Sequence, residues 1–310
     1  MKTRWMYLVP GILMLAAILI ATPSGLPQAD QAIYEAAIAF DENHVINSFP
    51  SYSIQDYTFR FFDGTHDYVI RDRNISKEKP FLRSLAATTV QVEGEWQVLV
   101  PTIERMNSTL SFLGKGQDLS SIDSDALQVA TLWHEGFHSY QMTHFEENLA
   151  KYMYLHDMPE NIESFVAEYI DADEHLKKDY LQAEQILDTA IASKNLEETK
   201  RLASEFLDVY YSRRENLTEK ARQMESLYEM IEGSAQYIES LIYRAQAGEE
   251  AYQEYYMTTD TVAANGISKY YTMGRKICLV LDKLSPDWSK DFDFSVGLAE
   301  LLAKNIEEER

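Results

Sequence analysis

The chain contains one cysteine, Cys278, in 310 residues. An intramolecular disulfide is therefore excluded, and stability in an oxidising compartment has to come from the core or from a bound metal. Cys278 lies in the apolar run from Ile277 to Leu281 and reads as a small core residue. Positive charge is also scarce. The 28 Lys and Arg face 50 Asp and Glu, a formal net charge of −22. A phosphate backbone would be repelled, which argues against nucleic acid as a partner, and overall charge disfavours anionic lipid. Glycine and proline are sparse, 12 and 8. No proline falls between Pro159 and Pro286, so long helices are expected there. Internal repeats and low-complexity tracts are absent.

What is present points to a folded chain. Hydrophobic residues make up 45 %, with 20 Tyr and 13 Phe, which is not the composition of a disordered protein. Lys2 and Arg4 precede an apolar run from Trp5 to Ala21, and no charge follows until Asp30. Residues 1–29 therefore read either as a cleaved signal peptide or as a single membrane anchor. With no cysteine near it, a lipoprotein attachment motif is excluded. Both readings place the body outside the cytoplasm. Asn74, Asn107 and Asn216 stand in N-x-S/T sequons, which matter only in a host that glycosylates.

Residues 30–122 read as an α/β portion. An amphipathic helix is expected over about 30–45, a strand over 52–62, and another restarting at Tyr68. A hairpin is expected from Val90 to Val100 through Glu93-Gly94. Such a strand beside a catalytic helix would offer its edge to an extended peptide. Residues 123–310 read as helical, with a last pair at about 266–284 and 293–308. The fold class is α+β and predominantly α-helical.

His134-Glu135-Gly136-Phe137-His138 is an H-E-x-x-H motif. Two histidines four apart on a helix share a face and can bind one Zn²⁺, and the glutamate between them reaches the metal's water. A helix is expected here, with Asp123 or Ser124 as N-cap and Asp125 at its positive end. Mid-helix Gly136 costs about 1 kcal/mol relative to Ala. Close approach of another backbone or of substrate would account for it.

A catalytic zinc needs a third protein ligand. His144 has the spacing of H-E-x-x-H-x-x-G-x-x-H, but Gln141 stands where that pattern turns on a glycine. If the helix continues, His144 points away from the metal. Glu232, in Ile231-Glu232-Gly233-Ser234-Ala235-Gln236-Tyr237-Ile238-Glu239, lies at the edge of the buried stripe of a second helix. Gly233, Ser234 and Ala235 would let another helix come close. Glu239 has a similar angular position, so the wheel leaves it open. Glu225 sits further toward water and Glu229 further still.

H-E-G-F-H followed far downstream by E-G-S-A-Q-Y resembles the gluzincin metallopeptidases. The resemblance covers these two short motifs. It implies a zincin-like fold with a helical insertion at about 150–215, zinc bound by His134, His138 and Glu232, and Glu135 as general base. The activity it implies is hydrolysis of peptide bonds in a peptide or protein substrate by zinc-bound water. The E-x-x-x-D variant of the pattern would need Asp where Gln236 stands. Tyr270-Tyr271-Thr272-Met273-Gly274 resembles the Y-x-x-G segment that follows the E-G helix in related chains, with Tyr271 a candidate oxyanion donor beside Tyr237 and Arg275. A different class stays open: a non-catalytic extracytoplasmic binding protein whose helical fold a metal stabilises.

Overall fold

The computed structural model describes residues 25–43, 46, 48–112, 124–153, 161–258 and 266–308. Most of the expected signal or anchor segment, and the N-cap candidate Asp123, lie outside the described residues. Among those described, no helix is long and apolar enough to cross a membrane. The architecture is mostly helical with a small mixed sheet, as the α+β reading expects.

Helix α1 (Gln28–Glu42) precedes a 3₁₀ turn and strand β1 (Phe59–Phe62). The strand expected over 52–62 is thus shorter. Residues 54–56 form the 3₁₀ turn because Tyr52 and Ile54 pack down onto the long helix that carries the H-E-x-x-H motif. Strands β2 (Asp67–Arg71) and β3 (Asn74–Glu78) form a hairpin through Asp72 and Arg73, both at positive φ (47° and 63°). An Asp-Arg turn carries no glycine signal, so β3 was not expected from sequence. Strands β4 (Thr88–Val92) and β5 (Glu95–Pro101) pair through Glu93-Gly94, the expected hairpin. The sheet order is β3-β2-β1-β5-β4, with β1 and β5 parallel and the other pairs antiparallel.

The two faces of the sheet differ in chemistry, because side chains alternate along each strand. Phe59 and Phe61 lie edge-on to Tyr34 of α1. Arg60 points the other way and is held by Gln97, Asp67 and Glu78 at 2.6, 3.3 and 3.1 Å.

After α2 (Ile103–Phe112) the helices are α3 (Ser124–Met153), α4 (Ile162–Val166), α5 (Glu174–Ala192), α6 (Leu196–Glu215), α7 (Glu219–Ala247), α8 (Glu249–Tyr252), α9 (Ser268–Leu284) and α10 (Leu298–Glu308). Single π turns follow α4 and α8, at Ala167–Asp171 and Gln253–Thr258. Helix α10 starts later than expected, because Phe292 and Phe294 turn inward to meet Phe49. Buried apolar residues from Leu26 to Ile306 form one continuous core that includes Cys278. The α5–α6 hairpin, expected as an insertion, packs on α9 and adds Tyr180, Leu187 and Phe206 to that core.

Helix α7 runs between α3 and α9. A Cβ on Gly233 would lie 2.5 Å from Gly274 Cα, and one on Gly274 would lie 2.0 Å from Glu229 O. Only glycine permits this crossing, and it brings Tyr271, one turn before Gly274, up to α7. Burial on several sides also corrects the wheel reading of α7. Glu225 and Glu229 do not face water but are 0 % and 1 % exposed. Glu225 pairs with buried Arg213, and Glu229 accepts a hydrogen bond from Tyr210 Oη at 2.6 Å. A wheel with one apolar stripe cannot anticipate a helix covered by several neighbours.

Burial raises the pKa of Glu229 from 4.5 to about 7, against the opposing pull of Arg214. A carboxyl with a raised folded pKa holds its proton in the native state after the unfolded chain has released it. Stability from this group is therefore full below pH 4.5 and is lost as pH rises through 7, about 3 kcal/mol in all. Urea unfolding from pH 4.5 to 8 is expected to show that decline in the wild type and a loss of about that size from it in Glu229→Gln. An unchanged pH slope in the variant contradicts the assignment.

Candidate metal centre

Helix α3 carries His134, Glu135 and His138, and it continues past His138 to Met153 with one non-helical residue, Phe145. His144 is exposed and packs beside Tyr140, so it is not brought to the other two histidines. Gly136 faces the opposite side. A Cβ there would lie 2.6 Å from Tyr52 Oη, and that hydroxyl donates to Trp133 O at 2.9 Å. The close approach at Gly136 is thus made by a tyrosine side chain, not by backbone or substrate. It locks the sheet-side segment onto α3 and turns the histidines toward α7.

Helix α7 supplies Glu232. Its Oε2 lies 3.5 Å from His134 Nε2 and 3.4 Å from His138 Nε2, and the two nitrogens are 3.1 Å apart. Three donors on a tetrahedral zinc, with bonds of about 2.0–2.2 Å, stand about 3.3–3.5 Å from one another. The triangle therefore has the size of one face of such a polyhedron. Among the described residues, this trio is the one His, Cys, Asp and Glu group with metal-ligand spacing.

The outer nitrogens support the same reading. His138 Nδ1 lies 2.8 Å from Gln141 Oε1. The Gln141 amide is oriented by donating from Nε2 to Ile231 O and Ser234 Oγ, both at 3.0 Å. A backbone carbonyl only accepts, so Oε1 must face His138, and Nδ1 there carries the proton. His134 Nδ1 lies 2.7 Å from Glu239 Oε2. That contact is short but off-line, and Nδ1 has no well-aligned acceptor among the described residues, so the attraction is electrostatic. A carboxylate beside Nδ1 still favours a proton there. Both Nε2 atoms are then left with lone pairs pointing at each other and at a carboxylate, an arrangement that calls for a cation.

The charges make the same point. Burial opposes protonation of His134, but Glu232 and Glu239 override it and hold its pKa well above the ordinary value. His138 is raised likewise, by Glu232 against burial. Burial pushes Glu232 up, but His138 and His134 hold it far below the usual carboxylate range. Burial raises Glu135, with the histidines opposing. No lysine or arginine pairs with Glu135, Glu232 or Glu239 among the described residues. Without a metal, protons on the imidazoles supply the positive charge. The residues thus fit a divalent cation with nitrogen and oxygen ligands, and the three side chains keep 12–21 % exposure.

The other sequence candidates fall at different depths. Tyr271 is partly buried and stacks on Tyr228, ring centroids 6.2 Å apart. Burial, then the charges of Glu232 and others including Glu135, raise its phenol far above the ordinary range. Tyr271 is therefore a protonated donor on the metal side of α9, and its hydroxyl makes no hydrogen bond to the described residues. Tyr237 is engaged elsewhere: it donates to Asp282 at 2.7 Å, and Ser48 meets the same hydroxyl. Arg275 is fully buried over the ring of Tyr256 and donates to its carbonyl. Neither reaches the ligand triangle.

Sequence reading missed Gln141 as a partner of His138, Tyr256 as donor to Glu239 Oε1 at 2.6 Å, and Thr89. A polar residue three positions after His138 on a buried face was the available signal for Gln141. Thr89, on edge strand β4, donates to Glu135 O at 2.8 Å and has Glu135 Oε2 within 3.5 Å. A separate cavity of about 570 Å³, lined by Tyr210, Arg214, Arg222 and Glu300, shares no residue with the metal centre.

No protein-family model, curated protein or solved structure matches the chain. Function therefore has to be argued from side-chain chemistry.

If the trio takes up a divalent metal and Glu239 orients His134, Glu239→Gln is expected to weaken uptake of added zinc about 10- to 100-fold. Competition against a chromogenic chelator measures this, and an unchanged affinity contradicts the role.

Proposed function

We propose that the chain is a zinc-dependent peptidase whose metal is held by His134, His138 and Glu232. The observation that carries this reading is the convergence of two imidazole nitrogens and a carboxylate oxygen, 3.1–3.5 Å apart, with no lysine or arginine paired to them among the described residues. Two nitrogens and one oxygen at tetrahedral spacing suit zinc better than the harder, oxygen-seeking cations. Bound there, zinc would lower the pKa of a water toward about 7 and polarise a carbonyl.

The chain's own groups supply the rest of the chemistry. Glu135, on the same helix face region as both histidines and raised in pKa by burial, takes a proton from the attacking water and passes it to the leaving amine. Tyr271 offers a phenol hydrogen to the oxyanion that develops on the carbonyl. Strand β4 is an edge strand of the sheet among the described residues, and Thr89 ties it to the carbonyl of Glu135. An extended peptide added to that edge would run past Glu135, which favours a peptide or protein substrate. The apolar run at residues 5–21 supports an extracytoplasmic setting, secreted or anchored.

Glu135→Gln is expected to keep its zinc and lose 10²- to 10⁴-fold in turnover of a cleaved peptide. Zinc content and peptide hydrolysis are measured on the same sample. Full activity in the variant sinks the peptidase reading, and loss of zinc would make Glu135 a structural residue instead.

A further inference from the structure

Large apolar side chains are rarely left exposed in this protein, but three of them fall within residues 75–82. Ile75 is 44 % exposed, Phe81 50 % and Leu82 46 %. Residues 71–83, which contain this stretch, depart from the charge of the whole chain. Arg71, Arg73, Lys77, Lys79 and Arg83 stand against Asp72 and Glu78 alone, in a protein of net charge −22. Some of these charges are already used: Arg71 pairs with Glu95, Arg73 with Glu42, and Glu78 with Arg60. Lys79 and Arg83, which bracket Phe81-Leu82, form no ion pair among the described residues.

The exposure is built in. The backbone N–H of Phe81 donates to Asp67 Oδ2 at 2.9 Å. Asp67 is fully buried and paired with Arg60, so the base of the loop is fixed to the sheet. Ser84 closes the following turn through Ala86. The loop is tied to the Arg60 side of the sheet, away from the face that packs on α1 and α3, so it is separate from the metal centre.

We infer that the loop of residues 79–83 docks on an anionic lipid surface. Phe81 and Leu82 enter the boundary of the acyl region, and Lys79 and Arg83 meet the headgroups. Charge complementarity selects this occupant: the rest of the chain is repelled by an anionic membrane, so the loop sets the orientation and points the acidic body away. Two adjacent apolar side chains are too few for a stable protein interface, which buries about 800 Å² on each partner. They suffice for an interfacial contact that works beside a second membrane signal.

Because Cys278 is buried, a cysteine introduced by Leu82→Cys in the full chain can be labelled selectively with an environment-sensitive fluorophore. With vesicles containing phosphatidylglycerol, the label is expected to shift to the blue and brighten. With pure phosphatidylcholine vesicles it should change little. Adding Lys79→Glu and Arg83→Glu should weaken the response about tenfold or more, while circular dichroism confirms that each variant is folded. No blue shift on anionic vesicles overturns the proposal. So does an equal shift on neutral vesicles, or a shift produced only by an acidic protein partner. Zinc content and peptide hydrolysis play no part in the readout, so its failure is distinct from failure of the peptidase reading.

Discussion

Three carboxylates and two imidazoles share one partly buried seam between α3 and α7, and among the described residues no lysine or arginine pairs with the carboxylates. Charges taken out of water cost several kcal/mol each unless they are paired. That electrostatic demand is the constraint around which the neighbouring structure is arranged. Gln141 turns the lone pair of His138 toward Glu232 and fastens α3 to the backbone of α7. Tyr256, delivered by a π turn, fixes the carboxylate that faces His134. The glycine crossing at Gly233 and Gly274 draws α9 onto the same helix and sets Tyr271 beside the site. The first two contacts fix a lone pair or a carboxylate, the third fixes helix packing, and together they hold the trio at metal-ligand spacing.

The same constraint explains why the folded core and the chemistry cannot be separated in this chain. Tyr52 fills the space a Cβ at Gly136 would take, and that contact anchors the sheet to the back of the motif helix. Thr89 joins the edge strand to the front of it. A residue that packs the fold on one side of α3 therefore also positions the H-E-x-x-H side chains on the other. The basic, apolar loop at residues 79–83 sits on the remote face of the sheet, where it can orient the molecule without disturbing the seam.

Much of this was legible in the sequence. The two histidines declare themselves by spacing, because four residues on a helix is a geometric statement. The predominantly helical character of the described residues after Ser124 and the Glu93-Gly94 hairpin follow from periodicity and turn chemistry. The rest was hidden for identifiable reasons. β3 turns on Asp72-Arg73, which carries no turn signature. Glu225 and Glu229 looked solvated because a helical wheel sees one neighbour, whereas α7 is covered by several. Glu232 and Glu239 looked alike on that wheel. Only the distances separate them, Glu232 toward both inner nitrogens and Glu239 toward the outer nitrogen of His134. Position 236, where the E-x-x-x-D pattern would place an aspartate, is Gln236, and the carboxylate beside the outer nitrogen of His134 is Glu239, about one turn later.

The central claim is that this seam holds a metal. Elemental analysis of the purified full chain, with His138→Ala as its partner sample, tests it most directly. The account predicts one zinc per chain in the wild type and none after dialysis in the variant, with both folded by circular dichroism. A wild-type protein that is folded and takes up no divalent metal, or a variant that retains its zinc, contradicts it.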